Sequence, residues 1–138
     1  FDYKLRWFGR LVAHARSLAR CADAVVLAGD LNVVPTDFDI YNAWWWRFDA
    51  VMQPEARAAW RMLQEQGWAD TARMLNPEDR MYTFWVNETA FRQGKGFRLD
   101  FLLANESLRP RIARAGVDTR WRAGVKPSDH APAWIVLR

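Results

Sequence analysis

Hydrophobic side chains recur every three or four residues between Phe1 and Cys21, which is the spacing of one face of a helix. The apolar positions are Trp7, Phe8, Leu11, Val12, Ala15, Leu18 and Ala19. The remaining positions are rich in basic residues, namely Lys4, Arg6, Arg10, Arg16 and Arg20. The pattern predicts an amphipathic helix that packs on a sheet and turns its basic residues toward solvent.

A short apolar run follows this helix and stops abruptly at polar residues. Val25 to Ala28 has the length and composition of a buried strand, and Gly29 interrupts it. We predict that this strand is covered on both faces. A helix followed directly by such a strand is typical of an α/β layer.

The rest of the chain alternates between turn residues and strand-like runs. Pro54 suits the first turn of a second helix, which we expect to stop at Gly67. Loops are predicted at 33–41 and 86–96, an extended piece at 68–71, and strands at 82–85, 97–104, 117–121 and 133–137. There is no internal repeat or linker, so residues 1–138 are expected to form a single domain.

Composition excludes several classes of protein. The hydrophobic fraction is 51%, with 9 Trp and 8 Phe, which excludes an intrinsically disordered chain. The single cysteine, Cys21, excludes an internal disulfide and a multi-cysteine zinc site, and it suits the reducing cytoplasm. No apolar stretch is long enough to span a membrane. The net charge of +4 favours an anionic partner.

Polar side chains that could do chemistry follow the predicted strand. Asp30 and Asn32 share one side of an extended backbone, while Leu31 faces away from them. A carboxylate and an amide therefore emerge together at the carboxyl end of a strand, where ligands of α/β sheets collect. Taken alone, this segment is more typical of a turn, because Gly-Asp and Asn are ordinary turn residues.

Two further segments change that interpretation. Asp100 lies inside an apolar strand, where a carboxylate is costly to bury unless it is paired or hydrogen-bonded. His130 follows Asp129 immediately before the last predicted strand, and it is the natural partner. Arg98 is an alternative partner for Asp100, although the position of the acid in an apolar strand favours the histidine.

Taken in order, Gly29-Asp30-Leu31-Asn32, Arg98-Leu99-Asp100 and Ser128-Asp129-His130 resemble the second half of exonuclease III and its abasic-site endonuclease relatives. These proteins belong to the endonuclease/exonuclease/phosphatase superfamily, and the resemblance runs from Phe1 to Arg138. It implies half of a four-layer α/β sandwich, with one mainly antiparallel or mixed sheet and helices on one face. The part of the family that precedes Phe1 carries the second sheet and a Glu that is a principal metal ligand.

The resemblance implies a metal-dependent DNA repair phosphodiesterase that cuts 5′ to abasic sites and degrades duplex DNA from 3′ to 5′. Asp30 would act as the general base or as a metal ligand, and Asn32 would hold the attacking water or a phosphate oxygen. Asp100 would orient His130 and favour its charged form, because a nearby anion stabilises imidazolium. Asp129 matches a residue that helps to hold Mg²⁺, with Mn²⁺ as an alternative.

A substrate-binding surface is implied as well. In abasic endonucleases the extrahelical sugar enters an apolar slot, and Phe84, Phe97 and Leu99 match its lining. All three could instead be ordinary core residues. Contacts with the phosphates of double-stranded DNA are expected from four basic residues, which are Arg92, Lys95, Arg98 and Lys126.

The chain departs from its relatives at two places. Trp44, Trp45 and Trp46 are consecutive where relatives are more polar, and no regular element buries three adjacent indoles on one face. Packing with some exposed surface is the favoured interpretation, and stacking on DNA bases is the alternative. Val86-Asn87 replaces an Asp-Tyr pair found in many bacterial relatives.

Three hypotheses for function follow from the sequence. The first is a Mg²⁺-dependent repair nuclease that acts on double-stranded DNA in the cytoplasm, in association with the nucleoid. The second is an inactive half that self-associates through an uncovered sheet. The third is a non-catalytic nucleic-acid-binding module with a basic, Trp-rich surface.

Overall fold

Five helices and five strands make up the computed structural model, which describes the chain from Phe1 to Arg138. The helices are α1 (Asp2–Ala19), α2 (Ala43–Trp46), α3 (Pro54–Glu65), α4 (Thr71–Leu75) and α5 (Glu88–Arg92). The strands are β1 (Val26–Asp30), β2 (Ala69–Asp70), β3 (Asp100–Ala104), β4 (Ile112–Val117) and β5 (Ala133–Leu137). All pairings are antiparallel, in a three-stranded sheet of order β1-β3-β2 and a two-stranded ribbon of β4 and β5. None of the helices has the length and apolar character needed to cross a membrane.

Helices α1 and α3 pack side by side on one face of the three-stranded sheet. Phe8 of α1 and Leu63 of α3 belong to one buried cluster with Phe101 and Leu103 of β3. Because side chains alternate along a strand, Asp100 lies on the opposite face of β3. The helices predicted from Phe1 to Cys21 and from Pro54 onward are therefore confirmed, and their apolar faces form the main core.

Strand β1 is less buried than its sequence predicts. Val26 and Leu27 are half-buried, whereas Ala28 and Gly29 are exposed. The prediction that both faces are covered is wrong, because β1 is an edge strand and the two helices cover only one face of the sheet.

Three other predicted elements differ from the structure. Residues 82–85 form no continuous strand, since only Phe84 makes bridges, to Phe97 and His130. The predicted loop at 86–96 contains α5, which is capped by the Asn87 side chain accepting a hydrogen bond from the Ala90 N–H at 2.8 Å. The strand expected at 117–121 lies earlier, at 112–117, and a 3₁₀ turn occupies 119–123.

A buried ion-pair network joins the loop at 33–41 to the sheet. Arg98 is only 2% exposed, and its guanidinium lies 2.8 Å from both Asp39 and Asp70. Asp39 also accepts hydrogen bonds from the Thr36 N–H and hydroxyl at 3.1 and 2.8 Å. Burial alone raises the pKa of Asp39, but the charge and hydrogen bonds of Arg98 outweigh it and hold the pKa below its ordinary value.

This network corrects two expectations about Arg98. The predicted contact with DNA phosphate is wrong, because the guanidinium is enclosed and its donors are used by two carboxylates. The alternative pairing of Arg98 with Asp100 does not form either, since Arg98 bonds to Asp39 and Asp70. Arg98 is a structural residue at the entrance to β3.

Replacing Arg98 with leucine should lower the free energy of unfolding by about 3–5 kcal/mol, because two buried carboxylates would lose their partner. Arg92→Leu is the matched control. Arg92 is exposed and pairs with Glu88 one helical turn earlier, so its loss should cost less than about 0.5 kcal/mol. Urea unfolding of both variants measures the two effects, and equal losses would contradict the structural role of Arg98.

Candidate active site

The antiparallel register of β1 and β3 places two carboxylates side by side. Asp30, the last residue of β1, is directly opposite Asp100, the first residue of β3. Residues that face each other across such a pair point to the same side of the sheet, here the side away from α1 and α3. Like charges directly opposite destabilise a sheet, so this arrangement has a cost that packing does not explain.

His130 completes the cluster. Its Nδ1 lies 2.7 Å from Asp100 Oδ2, and its Nε2 lies 3.9 Å from Asp30 Oδ2. The ring is also fixed by Phe84, whose centroid is 5.0 Å from that of the imidazole. When Nδ1–H donates to Asp100, Nε2 is left for a third group. The predicted pairing of Asp100 with His130 is confirmed.

Asn32 has an unusual backbone conformation immediately after β1. Its backbone φ is +48°, a left-handed conformation that Asn adopts more readily than most residues. Asp30 accepts hydrogen bonds from the Asn32 backbone N–H at 2.8 Å and from its side-chain amide at 3.0 Å. Leu31 packs on the α1–α3 core instead. The segment is therefore both a turn and a place where Asp30 and Asn32 share one side.

The electrostatic surroundings of Asp30 make it a stronger base. Burial raises the pKa of Asp30 above its ordinary value, and the negative charge of Asp100 adds to the rise. Hydrogen bonds from Asn32 and the charge of His130 act in the opposite direction without cancelling it. The side chain is still 33% exposed, so water can reach it. A raised pKa at an accessible carboxylate is what general-base catalysis uses.

Lys4 is a site residue that the sequence pattern did not reveal. It was expected on the solvated face of the first helix, but it is half-buried and donates to the backbone carbonyls of Asn32 and Ala50. Burial lowers the pKa of Lys4, while the carboxylates of Asp49 and Asp30 oppose that effect. Its two acceptors are 28 and 46 residues away in sequence, so no local pattern could identify the contact.

Thr83 fixes the start of β3. Its buried hydroxyl accepts hydrogen bonds from the backbone N–H groups of Leu99 at 3.0 Å and Asp100 at 3.1 Å. Its own carbonyl accepts from the N–H of Ala131, next to His130, at 2.8 Å. One threonine therefore ties the backbone of Asp100 to the segment that carries His130.

An aromatic cavity of about 260 Å³ adjoins the cluster. Phe84, Phe97 and Leu99 line it together with Asn32 and His130. Phe97 and Leu99 are only 2% and 3% exposed, so they belong to the core as well as to the cavity wall. These residues are therefore part of the hydrophobic core and also part of the wall of a cavity.

The structure leaves four predicted site residues apart from this cluster. Asp129 is exposed, and its backbone carbonyl rather than its carboxylate is engaged, accepting from the Trp85 N–H at 3.0 Å. Arg92, Lys95 and Lys126 do not line the cavity, and Arg92 pairs with Glu88. Their roles at metal and phosphate stay predictions.

The three tryptophans are divided between packing and exposure. Trp46 is half-buried, and its ring centroid lies 4.8 Å from that of Phe97. Trp44 and Trp45 are 69% and 68% exposed. Packing therefore accounts for Trp46, and the alternative of stacking on DNA bases stays a prediction for the two exposed rings.

Asp30, Asp100 and His130 could together hold a metal ion. Each offers one ligand atom, and these atoms lie within 4.8 Å of one another. A hard cation such as Mg²⁺ usually keeps several water ligands and takes one or two carboxylates from the protein. The two carboxylates fit such an ion, whereas the imidazole of His130, already bonded to Asp100, is not a ligand that Mg²⁺ prefers.

Thr83→Val keeps the shape of the side chain but leaves the N–H groups of Leu99 and Asp100 without their acceptor. The free energy of unfolding should therefore fall by about 1–3 kcal/mol. Amide hydrogen exchange at Asp100 should accelerate in this variant. Thr83→Ser keeps the hydroxyl and is the matched control. If Asp100 exchanges equally fast in both variants, the hydroxyl does not hold β3.

Asp30→Asn should become more stable relative to the parent chain as pH rises. The pKa of Asp30 in the folded state is raised above its ordinary value of 3.8. Ionising Asp30 therefore costs more in the folded than in the unfolded chain, and this lowers the stability of the parent chain as pH rises above that value. The asparagine variant cannot ionise, so its advantage should grow between about pH 3 and about pH 7. Urea unfolding across this range measures the difference, and an advantage that shrinks with pH would contradict the raised pKa.

The chain is similar in sequence to known nucleases. A sequence model of the endonuclease/exonuclease/phosphatase family matches residues 1–130. Exodeoxyribonuclease III of Haemophilus influenzae is 30% identical and aligns with 100% of the chain, and the DNA repair nuclease APEX1 of Danio rerio is 32% identical over 99% of it. The chain spans 55% and 43% of these two proteins, which is about half their length.

Solved structures share the fold. An AP endonuclease from Archaeoglobus fulgidus has a TM-score of 0.92 at 31% identity, covering 99% of the chain. The 3′ phosphatase NExo from Neisseria, bound to a product DNA hairpin, has a TM-score of 0.94 at 29% identity, covering 100%. The chain spans 54% of each structure, which confirms the predicted half of an α/β sandwich. From its sequence match and its fold, the chain belongs to the endonuclease/exonuclease/phosphatase family.

Proposed function

We propose that this site hydrolyses DNA phosphodiesters as part of a metal-dependent repair nuclease. The nuclease would cut 5′ to abasic sites and degrade duplex DNA from 3′ to 5′. The observation that carries the proposal is the cluster of Asp30, Asp100 and His130 beside an aromatic cavity. The names of its relatives support it, since they include an exodeoxyribonuclease and AP endonucleases.

The residues of the cluster divide the work of hydrolysis. Asp30 takes a proton from a water molecule whose oxygen bonds to phosphorus, and Asn32 holds that water or a phosphate oxygen. The P–O3′ bond breaks, the departing O3′ takes up a proton from solvent, and Asp30 returns its proton to solvent. His130 donates a hydrogen bond to a phosphate oxygen where negative charge develops, while Asp100 fixes the orientation of its ring.

Mg²⁺ is the proposed cofactor, with Mn²⁺ as an alternative. When bound, the ion would neutralise charge that develops on the phosphoryl oxygens. Asp30 and Asp100 would supply carboxylates close enough to share one ion, a role that competes with general-base action by Asp30. Asp129, exposed next to His130, is a further oxygen donor by its resemblance to the family.

The cavity favours a small group such as a sugar without a base. Its volume of about 260 Å³ lies below the range of roughly 300–1,000 Å³ that is usual for drug-sized ligands. An abasic nucleotide leaves the duplex at low cost, because it has no base to unstack or unpair. Arg92, Lys95 and Lys126 would contact phosphates of the surrounding double-stranded DNA, with an affinity that falls as salt rises.

A second candidate is a chain that becomes active only when its open sheet is covered by another copy. The face of the three-stranded sheet opposite α1 and α3 favours this possibility, because the two helices cover only one side. The edge of β1 is also free to pair with another strand. Self-association through the three-stranded sheet would cover that face.

Cleavage of a duplex with one synthetic abasic site, in Mg²⁺ and in EDTA, tests the proposal. We expect metal-dependent nicking that falls by at least about 100-fold in Asp30→Asn, because general-base catalysis contributes roughly 10²–10⁴-fold. Asp23→Asn is the matched control. It makes the same chemical change at an exposed position before β1, so the rate should not change.

Other outcomes of this assay identify the alternatives. The parent chain and Asp30→Asn could bind the duplex equally well, with or without metal, and fail to nick it. That result would contradict the nuclease and indicate a non-catalytic DNA-binding module. A rate that rises with the square of protein concentration would indicate that the active form is a self-associated chain.

A further inference from the structure

Exposed aromatic residues at α2 form a surface that the proposed hydrolysis does not use. Trp44, Trp45 and Phe48 are 69%, 68% and 81% exposed. Single exposed hydrophobic residues are ordinary on a protein surface, but a contiguous group marks an interaction site. We call Trp44, Trp45, Arg47 and Phe48 the α2 surface.

The α2 surface is held in place from beneath. The Asn42 side chain caps the helix by accepting a hydrogen bond from the Trp45 N–H at 3.2 Å. Trp46 anchors it, because its indole N–H donates to the Tyr41 hydroxyl at 3.0 Å and its ring packs on Phe97. The exposed rings therefore project from a fixed helix that is tied to the core.

Arg47 adds a cation between two aromatic faces. The centre of its guanidinium lies 3.9 Å from the ring centroid of Trp44 and 4.4 Å from that of Phe48. Aromatic faces next to an arginine are the combination that single-stranded nucleic acids bind, through stacking of the bases and attraction of the phosphates. Asp49, the nearest acid in sequence, lines the aromatic cavity, and one of its carboxylate oxygens accepts a hydrogen bond from the Val51 N–H at 3.0 Å.

Trp46 connects the α2 surface to the active site. It lines the aromatic cavity together with Asn32, Phe84 and His130, and it neighbours Trp45 in the same short helix. A DNA strand that placed one sugar in this cavity would pass its neighbouring nucleotides along α2. The α2 surface therefore lies within a few residues of the proposed phosphodiester site, and the occupant that fits it is the same strand of DNA.

We infer that the α2 surface is a stacking platform for unpaired bases of a DNA strand held at the active site. This inference rests on the proposed function and adds a substrate preference to it, for DNA with single-stranded nucleotides beside the bond that is cut. Blunt duplex DNA keeps its bases stacked inside the helix, so it cannot use the platform.

Fluorescence anisotropy in EDTA, at one fixed salt concentration, measures the preference without cleavage. The probes are a blunt duplex and the same duplex carrying a thymidine tail of about six nucleotides at either its 3′ or its 5′ end. At least one tailed duplex should bind about tenfold more tightly than the blunt duplex, which corresponds to stacking of a base on an aromatic ring.

Two double variants separate stacking from hydrophobic contact. Trp44→Leu with Trp45→Leu keeps apolar side chains but removes the flat rings, so the preference for the tailed probe should be lost. Trp44→Phe with Trp45→Phe keeps the rings and should retain most of it. Both positions are exposed, so the fold should tolerate either change.

Several results would overturn the inference. The platform is wrong if both variants lose the preference equally, if neither loses it, or if the parent chain binds all probes alike. A leucine variant that dissociates an oligomer in sedimentation, with unchanged DNA affinity, would show a protein interface instead. Absence of binding to any probe would overturn the platform. Binding of a tailed probe without nicking in the Mg²⁺ assay would overturn the nuclease and leave the platform standing.

Discussion

The buried guanidinium of Arg98 determines where Asp100 lies. Its side chain joins Asp39 in a loop to Asp70 at the end of β2, and its backbone N–H donates to the Asp39 carbonyl at 2.9 Å. The two N–H groups that follow donate to the hydroxyl of Thr83. The start of β3 is therefore held by these contacts in addition to its pairing with β1. Burying three charges is costly, and the cost is offset here because the donors and acceptors satisfy one another.

The hydrophobic core and the active site are coupled through one register. Phe101 and Leu103 must face α1 and α3, and this fixes Asp100 on the opposite side of the same strand. Because β1 pairs with β3 in this register, Asp30 is brought opposite Asp100 and the two negative charges are forced together. The hydrogen bond and charge of His130 reduce this repulsion. The part that remains helps to raise the pKa of Asp30. A slip of one residue would relieve that repulsion only by exposing the core, so folding itself maintains the strain.

Sequence predicts the parts of this architecture whose causes are local. The apolar period of α1, the Pro54 start of α3 and the alternation around Asp30 can each be recognised within a few residues. Arg98 could not be assigned in that way, because its two acids are 28 and 59 residues distant and its charge alone suggested a phosphate contact. Lys4 was predicted on the solvated face of the first helix for the same reason, because its two acceptors are 28 and 46 residues away in sequence. The burial of β1 was overestimated because an apolar run does not reveal whether a strand lies at the edge of its sheet.

Trp46 connects the exposed residues of α2 to the wall of the aromatic cavity. Its ring packs on Phe97 in the wall of the cavity, while the residues on either side of it face solvent. A change at Trp46 would disturb the core beneath the site, since buried aromatic contacts carry much of the packing energy there. Changes at Trp44 and Trp45 touch only the exposed surface. The proposed preference for DNA with unpaired bases can therefore vary at those two positions while the geometry of Asp30, Asp100 and His130 stays constant.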